Sequence, residues 1–311
     1  MMQATGLVVN LRAGGGRARR RWEQIHALVA KRLSPVALAF TSQAGQGFDL
    51  ARTMIRSGVQ LLVAAGGDGT VHEVANAILR EATPPTAVLG VLPLGSACDF
   101  ARSAGIPRNP EAAVEALAQG TLVRIDVAEV SSPTSGRRFF LNVASCGLGA
   151  AVARRLQAGR TGSSGAWRYF PAVIAELVRQ KPPVVTLALD GVTLAVHGAA
   201  THVAIGNGRF QAAGMEVCPN AKLDDGWLEV TVIRPVGVAE LLCGARLLYG
   251  GQIYRHPKVE HYRTQRLRLE SPDPVEVETD GEPFGRLPVE ITVLPRALPL
   301  VAPPPGLPAA A

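Results

Sequence analysis

Long apolar runs are missing from this 311-residue chain. No stretch of about 18 consecutive apolar residues occurs, so no transmembrane helix is expected. Met1–Asn10 has no basic segment leading into a long apolar core, so no signal peptide is expected either. Paired cysteines are missing too. Cys98, Cys146, Cys218 and Cys243 lie far apart and form neither a Cys-x-x-Cys pair nor a zinc pattern with histidine. Reduced thiols are therefore expected. His197, His202, His256 and His261 lack metal-ligand spacing. Aromatic residues make up only 5% of the chain, too few for a base-stacking platform, and no nucleic-acid partner is expected. There is no internal repeat, low-complexity segment or long run of one charge.

What remains is a chain long enough for two domains and a substantial core. Its net charge is +7, which favours anionic surfaces. Arginine greatly outnumbers lysine, a bias that genomic composition explains for the most part.

The most informative stretch runs from Leu61 to Asn76. Leu61–Ala65 is an apolar run that reads as a buried strand of a parallel sheet. Gly66, Gly67, Asp68, Gly69 and Thr70 follow at once. Val71, Val74, Ala75, Ile78 and Leu79 then recur at helical spacing. Glycine lets backbone N–H groups approach a phosphate, and a helix N-terminus adds donors and partial positive charge. Asp68 in such a loop suits a partner of Mg2+ or a catalytic group. Taken alone, the segment equally fits a tight turn in which Asp68 or Thr70 caps the helix.

Two further loops follow predicted strands. Gly6–Asn10 leads into the glycine-rich turn Asn10–Gly16, and Val88–Leu92 leads into Pro93–Arg102. A strand over Val36–Phe40 ends at Thr41-Ser42. Helices are expected around Trp22–Val29, Leu50–Ile55 and Glu111–Ala118. Arg17, Arg19, Arg20 and Arg21 crowd the start of the first helix, against its dipole. Alternating strands and helices imply a parallel sheet, with these loops at its carboxyl edge. After Asp126 the pattern changes to strands, including Phe139–Ala144, Val184–Leu189, Val192–Val196, His202–Ile205, Leu228–Ile233, Arg266–Glu270, Val275–Glu278 and Val289–Val293. Asp190-Gly191 and Asp280-Gly281 are hairpin signals. Two helices interrupt, near Trp167–Arg179 and Val238–Tyr249. The expected fold is α/β: an N-terminal parallel-sheet nucleotide-binding domain over 1–126 and a mainly antiparallel β domain over 127–300. The end of the second domain can return to the first, and 301–311 read as a frayed tail.

Gly66–Thr70 resembles the signature loop of the superfamily that holds the diacylglycerol-kinase-type lipid kinases, the sphingosine and ceramide kinases and the NAD kinases. Val71–Asn76 resembles its lipid-kinase branch. Pro93–Arg102 resembles the Pro-x-Gly-Thr-x-Asn-Asp-Phe-Ala-Arg motif of the bacterial soluble members, with Ser96 for threonine and Cys98 for asparagine. Serine keeps the hydroxyl, whereas cysteine loses the amide's strong donor and acceptor. Arg124-Ile125-Asp126 resembles the stretch that ends the nucleotide domain, and implies that Asp68, Asp99 and Asp126 share a network with a magnesium-bound water. Read without the resemblance, Asp99 is an N-cap and Asp126 a strand end. Pro219–Leu228 resembles a structural Mg2+ segment, which implies the carbonyls of Lys222 and Trp227 and the carboxylate of Asp225 as ligands. Thr279–Pro283 resembles the Asp-Gly-Glu segment of the catalytic base, with Glu282 as base and Asp280 as support, or the reverse. The resemblance thus implies ATP and Mg2+ as cofactors and a lipid hydroxyl as acceptor. It implies nucleotide contacts at Asn10, Leu11, Arg12, Ala13, Gly14, Thr41, Gly66, Gly67, Asp68, Gly69, Thr70, Val71, His72, Glu73 and Ser96. The expected setting is cytoplasmic, at the inner face of a membrane where the lipid lies, and a homodimer is left open.

Overall fold

The computed structural model describes residues 4–34, 36–81, 86–158, 166–179 and 181–304. They form two compact units, 1–125 with 296–311, and 126–295. The outermost tail residues, 305–311, lie outside the described residues.

The first unit is built on a parallel sheet. Its elements in chain order are β1 (Thr5–Val9), α1 (Arg17–Leu33), β2 (Ala37–Phe40), α2 (Gln46–Arg56), β3 (Leu61–Gly66), α3 (Asp68–Glu81), β4 (Val88–Pro93), α4 (Asp99–Ser103) and α5 (Pro110–Gln119). The strand order is β2-β1-β3-β4, every pair parallel. Residues of β1, β3 and β4 are buried throughout, as expected of strands covered on both faces. Alternate side chains explain how. Leu7, Val9, Leu61, Val63 and Leu92 pack with Trp22, Ile25 and Val29 of α1 and with Val114 and Leu117 of α5. Full burial of each such aliphatic side chain contributes roughly 1.5–3 kcal/mol. The helices form where capping residues allow. Asn109 accepts the Ala112 N–H at 2.8 Å, and Pro110 opens α5 without losing a needed donor.

The second unit starts within β5 (Thr121–Ser132) and ends within β18 (Val289–Ala302). Between them lie β6 (Gly136–Phe140), β7 (Val143–Gly147), α6 (Leu148–Ala158), α7 (Ala166–Arg179), β8 (Val184–Leu189), β9 (Val192–Ala199), β10 (His202–Gly206), β11 (Phe210–Gln211), β12 (Met215–Glu216), β13 (Leu228–Ile233), α8 (Val238–Tyr249), β14 (Val259–Thr264), β15 (Arg266–Glu270), β16 (Glu276–Thr279) and β17 (Glu282–Arg286). One antiparallel sheet has the order β14-β13-β10-β7-β16-β17. Another antiparallel set joins the start of β18 to β15, β8 and β9. Alternation along each strand fills the space between them. Leu228, Val230 and Val232 meet Val203, Ile205, Val277, Leu187, Leu267 and Ile291 in one core. The other face of β13 and β10 carries Ala204, which packs with Val217, Cys218, Leu248 of α8 and Ile253.

The mixed architecture agrees with the sequence reading, but α6 and β14 are not expected from it, so that a third helix joins the two that are. One expected strand is also divided. Phe139–Ala144, expected as a single strand, is split between β6 and β7. The N–H groups of Leu141 and Asn142 turn instead to the carboxylate of Asp280, at 3.0 and 2.9 Å. Both Asp-Gly signals are two-residue hairpin turns. Asp190 and Gly191 join β8 to β9 with φ of 48° and 80°, and Asp280 and Gly281 join β16 to β17 with φ of 51° and 84°. Asp190 Oδ1 also accepts the N–H groups of Gln265 and Arg266.

Because Gly191 adopts a left-handed conformation in open space, Gly191→Ala should cost about 1–2 kcal/mol through backbone strain alone. Equilibrium urea denaturation measures this as a lower midpoint with unchanged slope. An unshifted midpoint would contradict the turn geometry.

Candidate functional site

In the first unit, three loops meet at the carboxyl ends of β1, β3 and β4. Asn10 follows β1; its N–H bonds the Ala65 carbonyl at 2.9 Å, and its Nδ2 donates to Thr70 Oγ1 at 3.2 Å. Asn10 Oδ1 accepts the Arg12 N–H at 3.0 Å, and Arg12 Nη1 donates to the Ser42 carbonyl. The Thr41 N–H reaches the Val9 carbonyl at 2.9 Å. The Gly66 carbonyl accepts the N–H groups of Leu94 and Gly95 at 2.8 and 2.9 Å. That draws the loop after β4 against the loop after β3. A Cβ on Gly95 would sit 2.5 Å from Cα of Gly67, so main chain lies on main chain here. Gly14, with φ +65°, lies where a Cβ would be 3.0 Å from Ser96 Oγ. Ser96 Oγ itself is buried and has no hydrogen-bond partner among the described residues. Leu11 and Ala13 pack partly against the core below.

The basic start of α1 has a structural use. Arg21 donates to the carbonyls of Pro93 and Gly95 at 3.2 and 2.9 Å and so braces the loop after β4. Arg108 adds a bond to the Ser96 carbonyl at 3.1 Å. Arg17, Arg19 and Arg20 are exposed.

Asp68 is the first residue of α3, separated from the end of β3 by Gly67 alone. Its Oδ1 accepts the Phe100 N–H at 3.0 Å, so it caps α4. Asp99 opens α4 and is buried, 3.9 Å from the Arg102 guanidinium. The N-cap of α4 is Cys98, in the left-handed region with φ 51° and no side-chain cap bond. Asparagine tolerates that conformation better than cysteine, which is what the replaced amide supplied. Burial pushes the Cys98 thiol up to about 12, aided by the charge of Asp68, so the thiol stays neutral. Glu73 accepts the N–H groups of Gly45 and Gly47 at 2.7 and 2.8 Å and clamps the turn into α2. Val71 and His72 are buried in α3. Gly69 and Thr70 complete the first turn of that helix, and Thr70 is buried against Gly66.

In the second unit, Asp126 is fully buried on β5, and its Oδ2 accepts the Gly226 N–H at 2.6 Å. The Asp126 N–H donates to the Leu223 carbonyl, and Asn207 Nδ2 reaches the carbonyls of Asp126 and Leu141 at 3.1 and 2.8 Å. Asp126 is therefore tied to the Lys222–Trp227 turn. Within that turn, Asp225 Oδ1 accepts the Trp227 N–H at 3.1 Å and Oδ2 pairs with Arg263 at 2.5 Å. Arg263 also lies over the Trp227 ring.

Asp280 and Glu282 share a hairpin but not an environment. The carboxylate of Asp280 accepts three backbone N–H groups, from Leu141, Asn142 and Val143. It is a fastening. Glu282 starts β17 and is half-buried. Two residues before the turn lies Glu278, a residue that sequence reasoning missed. It is 1% exposed. Ser145 Oγ and Gln211 Nε2 donate to its Oε1, at 2.5 and 2.6 Å, and the Gly281 N–H donates to Oε2 at 2.6 Å. Burial pushes this carboxyl up to about 8 despite those bonds, and the charges of Asp280 and Glu282 push the same way. In the sequence, Glu278 looks like an ordinary solvent-facing position of an alternating strand.

Comparison with known proteins addresses the family. Residues 5–130 match the diacylglycerol kinase catalytic domain, and residues 142–302 match the YegS C-terminal NAD kinase beta sandwich-like domain. The chain is 35% identical over 248 residues to a protein named "Probable lipid kinase YegS-like" from Stenotrophomonas maltophilia, covering 78% of each chain. The chain belongs to the YegS-like lipid kinase family. A protein named "Diacylglycerol kinase" from Staphylococcus aureus is 27% identical over 263 residues, 85% of this chain and 81% of its own. A solved Bacillus anthracis structure described as a diacylglycerol kinase shares the fold, with TM-score 0.73 at 21% identity over 98% of both chains.

Seen within this family, the two expected ligand regions differ. The first unit's loops fit phosphate oxygens: a buried Ser96 hydroxyl lacking a partner costs about 1–3 kcal/mol, which a bound acceptor or donor offsets. In the Lys222–Trp227 turn the carboxylate of Asp225, the one side-chain ligand that the resemblance implies, pairs with Arg263. Among the described residues no group of three or more His, Cys, Asp or Glu side chains could hold a metal ion. The free cysteines Cys98, Cys146 and Cys218 are buried, and the Cys243 side chain lies outside the described residues.

Glu73→Gln turns one acceptor into a donor facing an N–H. It should cost about 1 kcal/mol in denaturation and speed amide exchange at Gly45 or Gly47. Unchanged exchange at both would show that the clamp is not needed.

Proposed function

We propose that this lipid kinase transfers the γ-phosphoryl group of ATP to the hydroxyl of diacylglycerol, giving phosphatidic acid and ADP. The observation that carries the nucleotide half is the meeting of three glycine-rich loops around the orphaned Ser96 hydroxyl. Asn10–Gly14, Thr41, Gly66–Glu73 and Ser96 hold the nucleotide, with backbone N–H groups and the start of α3 directed to phosphate. Glu73, Val71 and His72 act by shaping the loops rather than by direct contact, since their side chains are engaged or buried. Mg2+ accompanies the triphosphate and offsets its charge beside Asp68 and Asp99.

The acceptor half rests on the Asp280–Glu282 hairpin. In the transfer, the lipid hydroxyl oxygen bonds to the γ-phosphorus as the bond to the β-phosphate oxygen breaks. The hydroxyl proton passes to Glu282. Asp280 is occupied by three N–H groups and serves to aim the turn. In this reading Glu282 is the base and Asp280 its support. The acceptor is a lipid at a membrane surface, and the net charge of +7 and the exposed Arg17, Arg19 and Arg20 favour docking on anionic lipid at the cytoplasmic face. No described helix is long and apolar enough to cross a membrane.

Labelled ATP and a panel of lipid alcohols in mixed micelles test the reading. Diacylglycerol should accept phosphate, and chelation of divalent ions should stop transfer. Preference for a sphingoid base or ceramide would move the substrate to another lipid alcohol. Transfer to none, by folded protein, would leave a lipid-binding relative without catalysis. Glu282→Gln should lower kcat by about 10²–10⁴-fold with unchanged ATP affinity and thermal midpoint. Asp280→Asn should lose both activity and stability, because an amide NH2 would face backbone donors. Full kcat in both variants would place the base elsewhere.

Binding to anionic vesicles should weaken as salt rises, since exposed charges are screened beyond about 8 Å at physiological ionic strength. Equal binding to neutral and anionic vesicles, measured by flotation, would remove the electrostatic docking.

A further inference from the structure

Glu278 is the most deeply buried carboxyl of the Asp280–Glu282 hairpin, and the phosphoryl transfer described above makes no use of it. It lies opposite Ser145 in the β7–β16 register, on the sheet face away from the apolar core. Its three donors come from three different places: Ser145 on β7, Gln211 on β11 and Gly281 within the turn itself. Gln211 Nε2 also donates to Ser145 Oγ at 3.0 Å, so the cluster is closed. Beyond Gln211 stands His202 of β10. Its Nδ1 accepts the Gly149 N–H at 3.2 Å, and burial lowers the ring to about 4, so it is neutral at working pH. The cations on neighbouring elements have other partners: Arg154 of α6 bonds Glu276, and Arg138 of β6 bonds the Pro283 carbonyl. Cys146, on β7, is a buried neutral thiol. The charged groups that act on Glu278 are thus the carboxylates of Asp280 and Glu282 on its own hairpin.

We propose that Glu278 is a positioning residue whose charge state sets the Asp280–Gly281 turn and, through it, the basicity of Glu282. The inference rests on Glu282 being the base. Physically, the Gly281 N–H is the link. When Glu278 is neutral, this bond is an ordinary one; when Glu278 is ionised, it is charge-assisted and roughly twice as strong. Ionisation also adds a negative charge beside Glu282, which raises the proton affinity of that carboxylate. Burial holds Glu278 protonated below about pH 8 and lets it ionise above. A more basic carboxylate takes the hydroxyl proton faster. The rate should therefore rise with pH through the titration of Glu278.

Two measurements on the full chain decide this. The first needs no substrate. With ¹⁵N-glycine labelling, the Gly281 amide shift of the wild type should titrate with a midpoint near 8, and in Glu278→Gln it should be flat. A wild-type Gly281 shift that stays flat from about pH 6 to about pH 10 overturns the proposal. The second is the pH profile of kcat with diacylglycerol in micelles. The wild type should gain about threefold across the same limb, while Glu278→Gln keeps KM for ATP but loses the limb. A limb retained in Glu278→Gln overturns the proposal. If the wild type phosphorylates no lipid alcohol, the phosphotransfer reading fails, and the Gly281 titration still decides whether the charge of Glu278 governs the turn.

Discussion

The first unit depends on one close approach. The Gly66 carbonyl accepts two N–H groups from the chain that leaves β4, and this brings Gly95 onto Gly67 with no room for a side chain between them. Everything at the carboxyl edge follows. With the two loops in contact, Asp68 reaches the N–H of Phe100 and Ser96 comes next to Gly14. A Cβ at Gly95 would push the loops apart and break this set at once. Glycine is required here by the approach of two backbones, whereas at Gly14 it is required by φ as well.

A second theme is the carboxylate used as a backbone staple. Asp68 holds Phe100, Glu73 holds Gly45 and Gly47, Asp126 holds Gly226, and Asp280 holds Leu141 to Val143. Each joins segments far apart in sequence. In each unit these carboxylates fasten one stretch of backbone to another through N–H groups. Asp280 is the fullest case, with three successive N–H groups on one carboxylate.

Much of this was legible in the sequence. The parallel sheet announced itself through apolar runs ending in glycine, because a strand buried on both faces cannot alternate. Both Asp-Gly turns were readable because left-handed pairs demand those residues. The acids of the two loops and the hairpin were found by their motifs. What could not be read was partnership. Nothing local says that Asp68 caps another helix, that Arg21 braces the Pro93 and Gly95 carbonyls, or that Glu73 clamps a turn 26 residues earlier. The break between β6 and β7 was hidden for the same reason, since Asp280 causes it from 138 residues away. Glu278 sits in the alternating pattern of β16 at a position that would face water in a two-layer sandwich; burial of that face by β11 is a tertiary fact.

Cys98 shows how far a motif and its geometry can part. The family position asks for asparagine, and the structure explains the request: a left-handed N-cap beside two acids, where an amide bears the conformation and offers a cap. Cysteine bears neither advantage. Yet the helix still starts there, because Asp68 supplies the missing acceptor from outside to Phe100 and the Asp99–Arg102 pair steadies the first turn. In this chain the acceptor at the start of α4 is the residue that opens α3. With no cap bond from Cys98 itself, the start of α4 depends on an acid from another loop, which ties the integrity of this helix to Asp68.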